Sequence, residues 1–295
     1  MKARLETSIL RIVLIACMPA CSKVEAVKGT GHAPTEEAAK AEVTIPAPVA
    51  LASSAPQGSG LPPLASDKAT IQLPLSGLGP ATVEVPVGAR EPRPVVVALH
   101  GHSVRPEHAC TNWRRASRGY AFVLCPHGLP AEAGPNQAVT LGSEIYTMRE
   151  IDAGLWALRA RFGDHVAAGP IVVGGYSLGA KVGVGIVKKH GDRFRRVALG
   201  EGGYDELTRT ALADCAKVGV ERLLLVCSSK ACETTFGRVL SHCEAVGLGC
   251  RIAPSGENPH MFEGEVAEAA ARQWSWLVGG LEAWAGLPEA EPASE

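Results

Sequence analysis

The chain has 295 residues, 46% hydrophobic and 20% charged, which supplies one core of roughly 200 to 250 residues with material left over. Its 29 basic and 30 acidic side chains leave a net charge of -1, so no global field draws it to nucleic acid or another polyanion. Nine cysteines, 33 glycines and 21 prolines point to an exported, turn-rich globular domain rather than a disulfide miniprotein.

The surplus lies at the amino end. Lys2 and Arg4 precede the apolar run Ile12 to Ala20 (IVLIACMPA), far shorter than the roughly 20 residues that span a bilayer and suited to the core of a signal peptide. Small residues then abut cysteine, which resembles a bacterial lipobox. Leu14-Ile15-Ala16 before Cys17 has the better flanking residues, while Met18-Pro19-Ala20 before Cys21 follows the longer apolar core; Cys21 is preferred as the lipidated residue, and residues 1–21 are read as the signal. Residues 22–66 are Ala, Pro, Ser, Glu and Gly with almost no large apolar side chains, so they cannot offset chain entropy by burial. They form a tether of about 45 residues, with a reach on the order of 35 to 40 Å. The expected location is the bacterial cell envelope, lipid-anchored to the bilayer and facing the periplasm or exterior.

Thr70 to Leu73 and Thr82 to Val87, either side of a Gly- and Pro-rich turn, predict an antiparallel hairpin. Short apolar runs follow at Pro94 to Leu99, Tyr120 to Cys125, Pro170 to Gly174, Arg196 to Leu199, Arg222 to Val226 and Cys250 to Ala253. They are continuous rather than alternating, as parallel strands buried on both faces require. Between them lie helical stretches such as Glu150 to Phe162, with Ile151, Leu155, Leu158 and Phe162 on one face. Centres at Val172, Ala198, Leu224 and Arg251 are spaced 26, 26 and 27 residues apart, a βα rhythm. Residues 67–285 are therefore expected to form one α/β domain, a mostly parallel central sheet with helices on both faces and the hairpin at its amino end, followed by a flexible tail, 286–295. In such sheets ligand chemistry sits at the carboxyl ends of the strands.

Directly after the run Pro170 to Gly174 comes Gly175-Tyr176-Ser177-Leu178-Gly179, then the helix-like AKVGVGIVKKH. G-x-S-x-G on a strand-to-helix turn is the setting of a nucleophile elbow, which exposes the serine above the sheet. On these residues the chain resembles the α/β-hydrolase family across the whole region after the tether. The end of Pro94 to Leu99 reads His100-Gly101-His102, similar to the family's HG turn, and the resemblance implies an oxyanion hole from the amides of His102 and Leu178. It also implies a histidine after the last strand. His260, in Asn258-Pro259-His260-Met261-Phe262, stands there, with Pro259 where relatives carry glycine.

The acid departs from the pattern. Relatives usually place Asp after the strand corresponding to Arg222 to Val226, where this chain reads Cys227-Ser228-Ser229-Lys230-Ala231-Cys232-Glu233. Glu233 ranks first as the group orienting His260, followed by Asp205 and Glu201 after the preceding strand. Cys110 and Cys125 are read as a disulfide, while Cys215, Cys227, Cys232, Cys243 and Cys250 form a group of five in which at least one stays unpaired unless it finds a partner elsewhere. The histidines and cysteines between His100 and His127 match no established zinc spacing, so no metal site and no organic cofactor are expected. Trp113 and Tyr176 are candidates to line a pocket, with core packing the commoner fate of such residues.

The sequence thus points to a membrane-tethered serine hydrolase acting on small carboxylic esters, with Ser177 as nucleophile and His260 as base. A peptidase shares the same residues. The reading from another class is a non-catalytic envelope lipoprotein that keeps the fold as a binding module, suggested by the missing aspartate.

Overall fold

The computed structural model describes residues 60–130 and 139–289. The expected signal, the lipidation candidates Cys17 and Cys21 and the expected tether up to residue 59 lie outside the described residues.

Eight strands form one sheet: β1 (Thr70–Leu73), β2 (Ala81–Glu84), β3 (Val95–Leu99), β4 (Phe122–Cys125), β5 (Val172–Tyr176), β6 (Arg196–Gly200), β7 (Arg222–Cys227) and β8 (Gly249–Pro254), in the spatial order β1-β2-β4-β3-β5-β6-β7-β8. The expected hairpin is present. β1 and β2 run antiparallel, β2 is antiparallel to β4, and every pairing from β4 across to β8 is parallel. β2 ends at Glu84, short of the expected Val87, because Pro86 cannot donate to a ladder.

Continuous apolar runs acquire their meaning from the pleat, which sends successive side chains to opposite faces. On β3, Val95, Val97 and Leu99 enter the core beneath α2 (Glu144–Phe162), α3 (Leu178–His190), α4 (Arg209–Lys217) and α5 (Lys230–Ala245). Val96 and Ala98 enter the second core, beneath α1 (Pro106–Ala116) and α6 (Gly264–Val278). Both faces being covered, no position on β3 is left for a polar side chain. The edge strand β8 differs from this pattern, with only Ala253 fully buried along it. Its Arg251 lies over the Trp276 ring at 4.6 Å, a charge that discourages further strand pairing.

Three further expectations need adjustment. α2 starts at Glu144, well before the Glu150 read from the apolar periodicity, because the Ser143 side chain accepts a hydrogen bond from the Tyr146 amide and caps the helix. The packed domain also begins before residue 67. Leu64 is buried and exchanges backbone hydrogen bonds with Gly88 and Ala89, while His165 contacts the Pro62 carbonyl at 2.9 Å. Those partners lie at the amino ends of the parallel strands. At the other terminus, Leu287 packs against the second core, inside the stretch read as tail.

Cys110–Cys125 is bonded as expected, joining α1 to the end of β4. The group of five resolves into Cys227–Cys232, Cys243–Cys250 and a buried free thiol at Cys215, whose burial pushes its pKa up to about 11.

Candidate active site

Four strand ends meet at the carboxyl edge of the sheet. β3 runs into His100-Gly101-His102, β5 into Ser177, β6 into Glu201 and β7 into Cys227-Ser228. The loop after β8 brings His260 over them. Backbone bonds stitch this rim together: the Ser177 amide donates to Gly200 at 2.8 Å, Glu201 to Val226 at 3.3 Å and Ser255 to Cys227 at 3.0 Å.

Ser177 occupies the turn between β5 and α3 with φ 56° and ψ -118°. The left-handed conformation falls on the serine itself. The flanking glycines serve a different purpose, close approach: a Cβ on Gly179 would stand 2.1 Å from the Leu99 carbonyl oxygen, so only glycine lets α3 settle against the end of β3. Among the described residues four non-glycine residues have positive φ, and three of them, Ser103, Ser177 and Glu201, lie at this rim. Such backbone costs on the order of 1 to 3 kcal/mol per residue and persists where the surroundings impose it. A methyl group on Gly101 would reach within 3.6 Å of Ser177 Cβ, which puts the turn after β3 directly beside the serine. The Leu178 amide is the first of α3, so helix geometry gives it no intrahelical acceptor.

His260 Nδ1 lies 3.3 Å from Glu201 Oε2. Glu201 is largely buried, with its side chain 9% exposed against 55% for His260, and its other oxygen accepts the Ser228 amide at 2.7 Å. The His260 ring packs beside Tyr176, the residue before Ser177, with centroids 5.2 Å apart. A carboxylate at Nδ1 selects the tautomer that carries its proton there, leaving Nε2 as the acceptor. Burial first, and then the charge of Glu201, push the hydroxyls of Tyr176 and Tyr204 above the ordinary phenol range, so both stay neutral.

Glu233, ranked first in sequence, is not the partner of His260. β7 ends at Cys227 and α5 begins at Lys230, so Glu233 rides one turn into the helix and pairs with Lys230 Nζ at 2.7 Å. Asp205 is exposed. The local signal for Glu201 was its glycine setting, Gly200-Glu201-Gly202-Gly203: a Cβ on Gly202 would lie 2.3 Å from the Ser177 carbonyl oxygen. Trp113 and Tyr176 are core residues. Trp113 is buried against Phe262 and Trp274.

The polar residues between His100 and His127 are not gathered into one cluster. His102 Nδ1 meets Thr140 Oγ1 at 3.1 Å, on a two-stranded ribbon of Leu129–Pro130 and Val139–Thr140, and His108 pairs with Glu263. Among the described residues, the group compact enough to suggest a metal is Glu201, Cys227 and Cys232. Its two sulfurs are bonded to each other, so they present no thiolate.

His100 braces the rim from below. It is 1% exposed, its Nδ1 facing the Gly101 carbonyl at 2.8 Å and its Nε2 the His127 carbonyl at 3.2 Å. Buried Glu150 accepts the next amide, Gly128, at 2.9 Å. Burial holds the His100 imidazole below its ordinary 6.5 despite those carbonyls. The native state then binds fewer protons than the unfolded chain, so this contribution is present above pH 6.5 and is lost as pH falls through the folded pKa. Burial raises Glu150 instead, which has the opposite sign and is common to variants at His100. Unfolding free energy measured by denaturant should therefore fall more steeply from pH 6.5 to about 5 in the wild type than in His100→Gln. Equal slopes would contradict this assignment.

No family model and no curated protein matches this chain. Solved structures do. A candidate dienelactone hydrolase from Klebsiella pneumoniae subsp. pneumoniae superposes with TM-score 0.50 at 16% identity, covering 71% of this chain and 95% of its own. An S-formylglutathione hydrolase from Agrobacterium tumefaciens gives 0.49 at 16%, covering 70% and 92%. A fluorophosphonate-binding serine hydrolase from Staphylococcus aureus gives 0.49 at 12%, covering 71% and 97%. At 16% identity the Klebsiella likeness concerns architecture alone, and with the strand order described above that architecture is the α/β-hydrolase fold.

Proposed function

We propose that this chain is a serine hydrolase that cleaves small carboxylic esters. The observation that carries the reading is the contact of His260 with Glu201, itself held by the Ser228 amide, beside a serine on a strained strand-to-helix turn. In this reading Ser177 Oγ attacks the ester carbonyl while His260 Nε2 takes the hydroxyl proton. The amides of His102 and Leu178 receive the negative charge that develops on the carbonyl oxygen. His260 then returns the proton to the departing alcohol, and water releases the acyl group by the same steps in reverse order of partners. Glu201 holds the ring in the productive tautomer and stabilises the imidazolium.

Lipidation at Cys21, with the following residues as a tether, would place this domain at the surface of an envelope membrane and open to soluble esters. The binding-module alternative drew on the vacant acid position after β7, and Glu201 beside His260 supplies that acid from β6. The test is incubation of the folded protein with short p-nitrophenyl esters and, separately, with a fluorophosphonate probe. Turnover and a single labelled peptide containing Ser177 are expected. A folded protein that neither turns over the esters nor takes the label would overturn the enzyme reading in favour of the binding module.

A further inference from the structure

Ser228 connects the two halves of the candidate relay. Its amide donates to Glu201 Oε1 at 2.7 Å, and its carbonyl accepts the amide of Asn258, two residues before His260, also at 2.7 Å. One buried residue, 2% exposed, therefore touches the acid through its nitrogen and the histidine loop through its oxygen. The neighbouring carbonyl of Cys227 adds a second grip on that loop, accepting Ser255 N at 3.0 Å and Ser255 Oγ at 2.8 Å. Asn258 Nδ2 closes the loop on itself by donating to the Ser255 carbonyl at 2.6 Å.

Ser228 lies inside the ring closed by the bridge from Cys227, the last residue of β7, to Cys232, in the first turn of α5. Cys227 and Cys232 are both buried, and their sulfurs lie within 4.8 Å of a Glu201 carboxylate oxygen. The two are 5 positions apart, against 15 for Cys110–Cys125, so closing this small ring removes less unfolded-chain entropy. Its larger effect is local, since it ties down the backbone of the residues it encloses. His260 is more than half exposed, with the Tyr176 ring beside it, so its alignment with Glu201 also draws on that backbone.

We infer that the Cys227–Cys232 disulfide and the Ser228 backbone are a positioning device that holds Glu201 and the His260 loop in register. The inference rests on the serine-hydrolase reading above. Neither cysteine touches substrate, and no change of redox state is needed for the role.

The test compares C227A/C232A with the wild type in ester hydrolysis, with C110A/C125A as the control for loss of a bridge elsewhere. A misplacement of about 1 Å in such a site costs on the order of 100-fold, so kcat should fall about 10- to 100-fold with KM changed by less than about twofold. The control should keep its kcat. In a Glu201→Gln background, removing the bridge should lower kcat by no more than about twofold, because interactions acting through one group are not additive. Unchanged kcat in C227A/C232A, or the same fold-loss with and without Glu201, overturns the inference while Ser177→Ala remains inactive. If Ser177→Ala retains activity, the hydrolase reading falls first and takes this inference with it. Should C227A/C232A lack a cooperative melt, C227V/C232A, which keeps more of the apolar volume, takes its place under the same criteria.

Discussion

Ser177→Ala should abolish fluorophosphonate labelling and reduce kcat on short p-nitrophenyl esters by about 10⁴- to 10⁶-fold, the range in which removal of a nucleophile falls when histidine and oxyanion donors remain. The hydroxyl oxygen is the atom that bonds to the acyl carbon, and the alanine side chain offers no substitute. The fold should survive. The turn is imposed by the backbone bond from residue 177 to Gly200 and by the close approach of Gly179 to β3, none of which uses the hydroxyl. The melting temperature should therefore stay within a few degrees of the wild type. Activity within tenfold of wild type in a purified, folded Ser177→Ala protein would exclude Ser177 as nucleophile.

Glu201→Gln should lower kcat by about 10² to 10⁴-fold, through the wrong tautomer rather than through lost packing. The Ser228 amide donates to Oε1, so the glutamine carbonyl is retained on that side and its amide nitrogen turns toward His260. A donor there makes Nδ1 the acceptor and moves the ring proton to Nε2, the nitrogen that must take the proton of Ser177. Glu233→Gln removes only a pair with Lys230 on the first turn of α5 and should leave kcat within about twofold, as exposed ion pairs contribute little. Steady-state rates for the two variants side by side decide the matter. Equal losses, or a larger loss at Glu233, would reassign the acid.

The inner strands β3 to β7 were legible because burial on both faces writes itself as uninterrupted apolar runs, each beginning or ending within a few residues of the expected bounds. The place of Ser177 on a strand-to-helix turn and of His260 in the loop after the last strand was legible from chain order. The carboxylate beside His260 was not, since the connection from β7 to α5 is two residues long and Ser229 caps the helix at once by accepting the Cys232 amide, which turns an apparent loop into the first turn of α5. Glu201 meets Ser228 and His260 because β6 lies beside β7, a neighbour set by sheet order rather than by sequence distance. Trp113 shows the same limit in reverse. An aromatic near the HG turn looks like a pocket wall until Trp274 of α6 and Phe262 pack against it on α1.

The docking of Pro62 and Leu64 gives the molecule a polarity that composition could not convey. They attach beside Ala89, Arg93 and His165, where the parallel strands begin, whereas Ser177, Glu201 and His260 gather where they end. A strand of five residues separates these levels by about 16 Å. Chain that departs through Pro62 consequently leaves from the floor of the domain. A mooring on that side, whether a surface, a fused partner or an immobilising handle, loads the base of the sheet and leaves the rim of Ser177 and His260 turned toward the solution.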